Sequence, residues 1–419
     1  MVEPDESPKT KIVSALPKKT YTKLQTLRST DIIAGIPSYN CAHTINYAIY
    51  QTAKGLAEFF PDKEKVIVIS DGGSSDGTIE VAKSIRMPWD VKVITTRYVG
   101  TPGKGTALRA IFEALTCLDA QAVMVVDSDL RSIVPEWVEL LVFPTLKGTD
   151  LVTPLYARHK YDGTITNFLC YPFTRALYGQ RIRQPIGGDF GLSRKLVATL
   201  LKSDLWNTAY VPKFGIDIFE THTALGEKLK VKQAFLGSKI HEAKDPSKQL
   251  APMFHEVLGA MFSCMRKFEK VWRAIRGSQQ VEMIKGTVSA TAPEEVKVDA
   301  ENMLKAYNDG FHNFTGLYRK LLDPELMHKI QILSFKDLNR FEFPNEYWAK
   351  CAYSFAAAFK KKAGAQGETL LEALRVLWIG KVTSFILETR EFDLAKSEKE
   401  IERESQIFEE LKPFLTSIY

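Results

Sequence analysis

Cysteine is sparse and scattered in this chain. Cys41, Cys117, Cys170, Cys264 and Cys351 lie far apart, form no C-x-x-C pair and leave an odd count. Such usage argues against a disulfide frame and for reduced thiols in a cytosolic protein. Long apolar runs are lacking too: no segment approaches the roughly 18 residues of a membrane span. The first residues have no apolar signal-peptide core, so a soluble, cytoplasmic protein is expected. Charge of one sign is not concentrated either. The net charge is only +6 over 419 residues, with scattered lysines and a sequence pI near 8.8. A nucleic-acid partner is not indicated, whereas small anionic substrates suit a mild positive balance. The composition that remains, 45% hydrophobic and 25% charged, is that of an ordinary globular chain of one to three domains.

The most informative stretch is Ala122-Val123-Met124-Val125-Val126-Asp127-Ser128-Asp129. Its apolar run reads as a strand buried on both faces of a parallel sheet. Ligands of open α/β sheets bind beyond the carboxyl ends of such strands. Alternation sends Asp127 and Asp129 to one side, where two hard oxygen donors suit Mg²⁺ or Mn²⁺ and hence a diphosphate. A lone D-x-D also describes an acid-capped strand end, so its surroundings decide.

Three further strands precede it. The first, residues 31–37, is stopped by Pro37 and followed by Ser38-Tyr39-Asn40. The second, Lys65 to Ser70, empties into Asp71-Gly72-Gly73-Ser74-Ser75-Asp76-Gly77-Thr78. There Asp71 could accept from a base N–H or ribose hydroxyl, while Asp76 caps or folds the loop. The third, Val91 to Thr95, leads to Pro102-Gly103-Lys104-Gly105 and a helix from Thr106 to Leu118. Lysine between glycines at a helix N-terminus offers charge and exposed N–H groups to an anion. The spacing is not that of a Walker A loop.

This order of motifs resembles GT-A glycosyltransferases that use a nucleotide sugar. More narrowly, Pro102-Gly103-Lys104-Gly105 with Asp127-Ser128-Asp129-Leu130 resembles retaining enzymes making glucosyl-3-phosphoglycerate, glucosylglycerate or mannosylglycerate. The match runs over about residues 30–260. The resemblance implies an α/β fold: a GT-A (Rossmann-like, nucleotide-sugar-binding) domain followed by a mostly α-helical C-terminal domain. It implies nucleotide-sugar contacts at Pro37, Tyr39, Asp71, Gly103, Lys104, Asp127, Ser128, Gly188 and Asp189. It also implies a divalent Mg²⁺ or Mn²⁺ on Asp127, Asp129 and His241.

Downstream, Arg158-His159-Lys160 is a compact basic cluster; Arg suits a bidentate grip on carboxylate or phosphate, although charge runs are commonly solvated. By the resemblance, Arg158 and Thr166 hold the acceptor carboxylate, and Asp217 lies near the sugar and the acceptor hydroxyl. Gly187, Gly188 and Asp189 face the donor sugar, with Asp189 bonding its hydroxyls. The implied catalytic residues are Lys104, which stabilises the leaving group, and Asp217, which orients the acceptor. Front-face attack with retention is the implied course. The phosphoglycerate enzymes have a glycine-rich, arginine-bearing acceptor loop, whereas residues 167–175 here contain no glycine. That departure favours free D-glycerate and a glucosylglycerate product. 3-Phosphoglycerate and mannosyl transfer are the alternatives, with Arg175 or Lys160 as candidates for the phosphate. The partners implied are a GDP- or UDP-hexose and one of these acceptors.

The expected domain organisation is a polar leader (1–29), the catalytic domain (30–260), a helical linker (261–293) and a helical domain (294–419). The aromatic stripes of that last domain would serve a core or a homodimer surface. Two other classes compete. A sugar-1-phosphate nucleotidyltransferase would open on a glycine-rich signature, which Ile36-Pro37-Ser38-Tyr39-Asn40 lacks. A non-catalytic scaffold would not need Lys104, Asp127, Asp129, Asp217 and His241 together.

Overall fold

The computed structural model describes residues 13–27, 29–240, 250–362 and 364–419. A short helix α1 (Lys18–Gln25) is followed by β1 (Ile32–Ser38), α2 (Ile45–Phe59), β2 (Lys65–Asp71), α3 (Thr78–Ser84) and β3 (Lys92–Arg97). Next come α4 (Lys104–Cys117), β4 (Ala122–Val125), α5 (Glu136–Leu146) and β5 (Leu151–Ala157). A π-helical turn (Thr166–Cys170) runs into α6 (Tyr171–Tyr178), then β6 (Gln180–Arg181), β7 (Phe190–Ser193), α7 (Arg194–Leu201), α8 (Ile216–Gly226) and β8 (Val231–Ser238).

The main sheet has the order β10-β8-β5-β7-β4-β1-β2-β3, where β10 is Met283–Ile284. All its neighbours pair in parallel except β7, which runs antiparallel to both β4 and β5. Alternate residues of the buried strands feed two cores. Ile32, Ala34 and Ile36 join Ile67, Ile69 and Met124 under α2 and α5. Ile33, Val66, Val68, Val123 and Val125 join Leu108, Ile111 and Phe112 of α4 on the other face. Each such side chain contributes about 1.5–3 kcal/mol by leaving water, which is why these runs carry no polar residue.

Strand order reverses between β1 and β4, the switch point where open α/β sheets bind ligands. β1 continues through Pro37 to Ser38, one residue beyond the expected stop. Its ladder to β4 ends at the Gly35–Val125 pair, so β2 alone pairs with it at Pro37, where a missing N–H is tolerated.

The C-terminal half is α9 (Ala251–Lys267), α10 (Glu269–Ala274), β9 (Gln279–Gln280), β10, α11 (Ala300–Leu321), α12 (Pro324–Leu333) and α13 (Asn345–Lys360). It ends with α14 (Ala365–Glu388), α15 (Leu394–Glu410) and α16 (Lys412–Ile418). Two features differ from the expected organisation. α9 runs unbroken through residue 260, and the 261–293 segment contains two strands, of which β10 extends the main sheet beside β8. The helices also share one apolar core with the sheet domain: Phe168, Phe173 and Phe254 pack with Trp348, Tyr353, Trp378, Phe385 and Phe408. No helix among the described residues is long and apolar enough to cross a membrane.

Candidate active site

A cavity of about 910 Å³ opens at the switch point, lined by the ends of β1, β2 and β4, the start of α4, the 158–166 loop and α9. Pro37, Tyr39, Gly103, Lys104, Asp127, Ser128, Asp129, Arg158, Thr166, Gly188 and Asp217 all line it. Asp71 and Asp189 do not, and His241 lies outside the described residues.

The position of Lys104 follows from its glycines. A Cβ on Gly105 would meet the carbonyl oxygen of Val211 at 1.9 Å, and one on Gly103 would meet that of Pro212 at 2.6 Å. Only glycine lets this turn press against the 211–213 backbone. The contact uses the N–H groups that the sequence reserves for an anion: Gly105 N donates to Lys213 O (3.1 Å) and Thr106 N to Pro212 O (2.9 Å). The available anion-binding group is therefore the Lys104 ammonium. It stands 2.8 Å from Asp127, and 3.2 and 3.3 Å from the two oxygens of Asp217. Burial alone would depress its pKa, but the two carboxylates outweigh that and hold it above the ordinary lysine value.

A second cation was not singled out from sequence. Lys239, just beyond β8 and only 6% exposed, bonds Asp127 (3.0 Å), Asp189 (3.0 Å) and the Gly187 carbonyl (2.7 Å). Asp127 thus lies between two ammonium groups. Burial acts to raise its pKa, and Lys104 and Lys239 more than reverse this, keeping it below the usual carboxylate range. The sequence signal for Lys239 was its place two residues before His241 near a strand end, the same side by alternation.

Asp189 has a different place from the one expected. It is fully buried, accepts the Asp127 N–H (2.8 Å) and the Tyr156 hydroxyl (2.5 Å), and pairs with Lys239. With its oxygens so engaged it braces Asp127 and Lys239 from behind the cavity wall. Burial of the Tyr156 phenol, with Asp189 beside it, keeps that group protonated and a donor. Gly188 does face the cavity; its φ of +89° and the 2.4 Å gap from a built Cβ to Asp127 Oδ2 both demand glycine.

Asp71 is likewise turned inward. It is 2% exposed and accepts from Gly73 N (2.7 Å), Ser74 N (2.9 Å), Ser74 Oγ (2.6 Å) and Ser38 Oγ (3.0 Å). These bonds fold the glycine loop and leave the wall itself to Gly72, Gly73 and the exposed Tyr39, with Asp71 directly behind it. Asp76 folds the same loop, accepting from Thr78 and Ala42.

On the opposite wall, Arg158 is 3.7 Å from Asp162 and lies over the Tyr156 ring, with its Nε unpartnered in a buried position. Its neighbour Lys160 turns away and donates to the carbonyls of Thr389, Arg390 and Phe392. Arg175 is 4% exposed inside α6 and pairs with Glu402 and Glu409 of α15. Neither Lys160 nor Arg175 is available to a phosphate. Residues 167–175 are buried helix, not an acceptor loop, and their lack of glycine says nothing about the acceptor.

Behind Asp217, one helical turn on, Glu220 is fully buried with both oxygens unpartnered. Burial raises Asp217 against the opposing charge of Lys104; burial, and then Asp217, push Glu220 much further up.

Asp127 and Asp129 offer hard oxygens of the kind that Mg²⁺ or Mn²⁺ takes. Asp129 is exposed at the cavity wall, whereas both Asp127 oxygens already carry an ammonium. Among the described residues no three His, Cys, Asp or Glu side chains cluster as a metal site. Ile240, the residue before His241, bonds Arg131 N and Ser132 Oγ just after Asp129.

Residues 34–197 match the family model "Glycosyl transferase family 2". The chain carries a glycosyltransferase domain. A curated relative, glucosyl-3-phosphoglycerate synthase from Petrotoga mobilis, is 25% identical over 277 residues, 60% of this chain and 79% of the relative. A solved glucosyl-3-phosphoglycerate synthase from Mycobacterium tuberculosis, in complex with phosphoglyceric acid, is 24% identical with a TM-score of 0.44. It covers 59% of this chain and 85% of its own. The same enzyme with Mn²⁺, uridine diphosphate and glucosyl-3-phosphoglycerate has a TM-score of 0.45 at 24% identity, covering 59% and 85%. The glycosyltransferase resembles glucosyl-3-phosphoglycerate synthases, in an α/β domain with a helical C-terminal part.

Proposed function

We propose that this glycosyltransferase moves glucose from a nucleoside diphosphate glucose to the 2-hydroxyl of 3-phosphoglycerate, with retention at the anomeric carbon. The observation that carries the reading is the convergence of three cations, Lys104, Lys239 and Arg158, on one cavity beside Asp127, Asp129 and Asp217. A diphosphate needs compensating charge, and a phosphorylated acid brings two further anionic groups. The glycine-free segment that favoured free glycerate lies outside the cavity, and the curated relative supports the phosphorylated acceptor.

In this reading Tyr39, Pro37 and Ser128 flank the nucleotide, and Lys104 and Lys239 face the diphosphate. Arg158 and Thr166 hold the acceptor. Asp129, with Asp127, would hold a divalent Mg²⁺ or Mn²⁺, which when bound supplies Lewis-acid stabilisation of the departing diphosphate. Asp217 is paired with Lys104 and orients the acceptor hydroxyl without attacking the sugar. A covalent adduct on Asp217, or a product of inverted configuration, would remove that assignment.

The test is a product assay with Mg²⁺ or Mn²⁺, UDP- and GDP-sugars, and D-glycerate and 3-phosphoglycerate side by side. Transfer of glucose to 3-phosphoglycerate, with an acceptor KM raised about tenfold or more in Arg158→Gln, is expected. Turnover with glycerate alone would return the acceptor to the unphosphorylated acid.

A further inference from the structure

We infer that the C-terminal helices set the acceptor wall of the cavity through Lys160, a positioning residue that locks the 158–166 loop onto the end of α14. α14 stops at Glu388, and the last carbonyls of any helix lack intrahelical donors. The Lys160 ammonium caps this end with positive charge, donating to the C-cap carbonyl Thr389 O (2.7 Å) and, in the turn that follows, to Arg390 O (3.1 Å) and Phe392 O (2.7 Å). All three donors of the side chain are thereby used.

The same loop is tied down again in the residues that follow Lys160. The Tyr161 hydroxyl reaches Ile386 O (3.4 Å), its ring meets Phe385 edge-on, and Trp378 Nε1 donates to Thr164 O (3.4 Å). Lys160 does not line the cavity, but Arg158, Tyr161, Thr164 and Thr166 around it do. Every anchor on the far side of these bonds belongs to α14 or the turn after it. The helical region thus belongs to the acceptor site by construction, and the donor wall, made by β1, β2, β4 and α4, has no part in the clamp.

The kinetic half of the test rests on the acceptor reading above; the structural half does not. Lys160→Met, Lys160→Arg and, as a control, Lys360→Met are made in the full chain. Lys360 pairs with Glu269 (2.7 Å) and the Tyr419 carbonyl, away from the cavity. Lys160→Met is expected to raise the acceptor KM about tenfold, the scale of losing charge-assisted bonds, with the donor KM within about twofold. Amide hydrogen exchange is expected to quicken in 158–166 and to stay unchanged in 104–117. Lys160→Arg restores most of both readouts, and Lys360→Met moves neither. Unchanged exchange in 158–166, or equal effects of Lys160→Met on donor and acceptor KM, overturns the inference. A wild-type protein inactive on both acceptors would sink the reading of function, and the exchange comparison alone would then decide the clamp.

Discussion

Lys239 stands 3.0 Å from an oxygen of Asp189, a carboxylate with no exposed surface. That pair supports the carboxylate of Asp127, whose backbone N–H Asp189 accepts. Removing one member of such a buried pair leaves an uncompensated charge and typically costs about 3–5 kcal/mol. Lys239→Met is therefore expected to lower stability by roughly 3 kcal/mol and to cut turnover at least about 100-fold. Lys239→Arg should recover stability before activity, since a guanidinium keeps the charge but not the compact geometry. Urea denaturation alongside a transfer assay checks both; wild-type turnover in Lys239→Met would show that this residue does not face the diphosphate as proposed.

Gly188→Ala tests backbone geometry at the same place. A left-handed φ costs a non-glycine residue about 1–3 kcal/mol, and the added methyl group collides with Asp127. Turnover should fall by more than about tenfold, with a drop in melting temperature. Unchanged kcat would mean that Asp127 tolerates displacement.

His255 of α9 predicts a pH dependence. Its two ring nitrogens face Glu368 (3.2 Å) and Glu372 (2.8 Å) of α14, an arrangement that only the doubly protonated ring satisfies. Burial works to lower its pKa, yet the Glu372 hydrogen bond and charge outweigh it and raise the value above the ordinary 6.5. A raised folded value means that the contribution is complete below about 6.5. It is lost as pH climbs through the folded value. The melting temperature of wild type should fall over that interval, and that of His255→Gln should not. Parallel profiles for the two proteins would show that the contact contributes nothing.

Lys381 and Glu404, each 2% exposed and 3.0 Å apart, join α14 to α15. Burial pushes Glu404 up to about 7 despite the lysine. Lys381→Met alone should cost about 3 kcal/mol or more, whereas Lys381→Met with Glu404→Leu should restore most of it. A double variant no better than the single one would show that the pair is not coupled. Denaturant midpoints at pH 7 measure the difference.

The parts of the molecule legible in the sequence were those written in long buried runs. Ala122 to Val126 could only be an inner strand, and Asp127 and Asp129 do reach one cavity. Lys104 was legible because two glycines flank it, although the reason proved to be contact with the 211–213 backbone. Asp71 looks like a free strand-end acid and Asp189 like a free acid of a glycine-rich turn in one dimension; the side-chain donors that help bury them, Ser38, Tyr156 and Lys239, come from 33 to 50 residues away. β7 is only four residues long and contains Gly191, so periodicity gives it no signal. α12, inside the expected helical region, is announced by Asp323-Pro324, an N-cap followed by proline.

β7 also gives the sheet a mechanical seam. Among the described strands, β4, β1, β2 and β3 are joined to the β5–β8 pair within the sheet only through Phe190–Ser193, and on the β5 side only Leu151–Leu192 and Val152–Gly191 pair. The cavity straddles that line, with Asp127 on one bank and Arg158 on the other. The spacing between Asp127 and Arg158 is therefore set, within the sheet, through one four-residue strand.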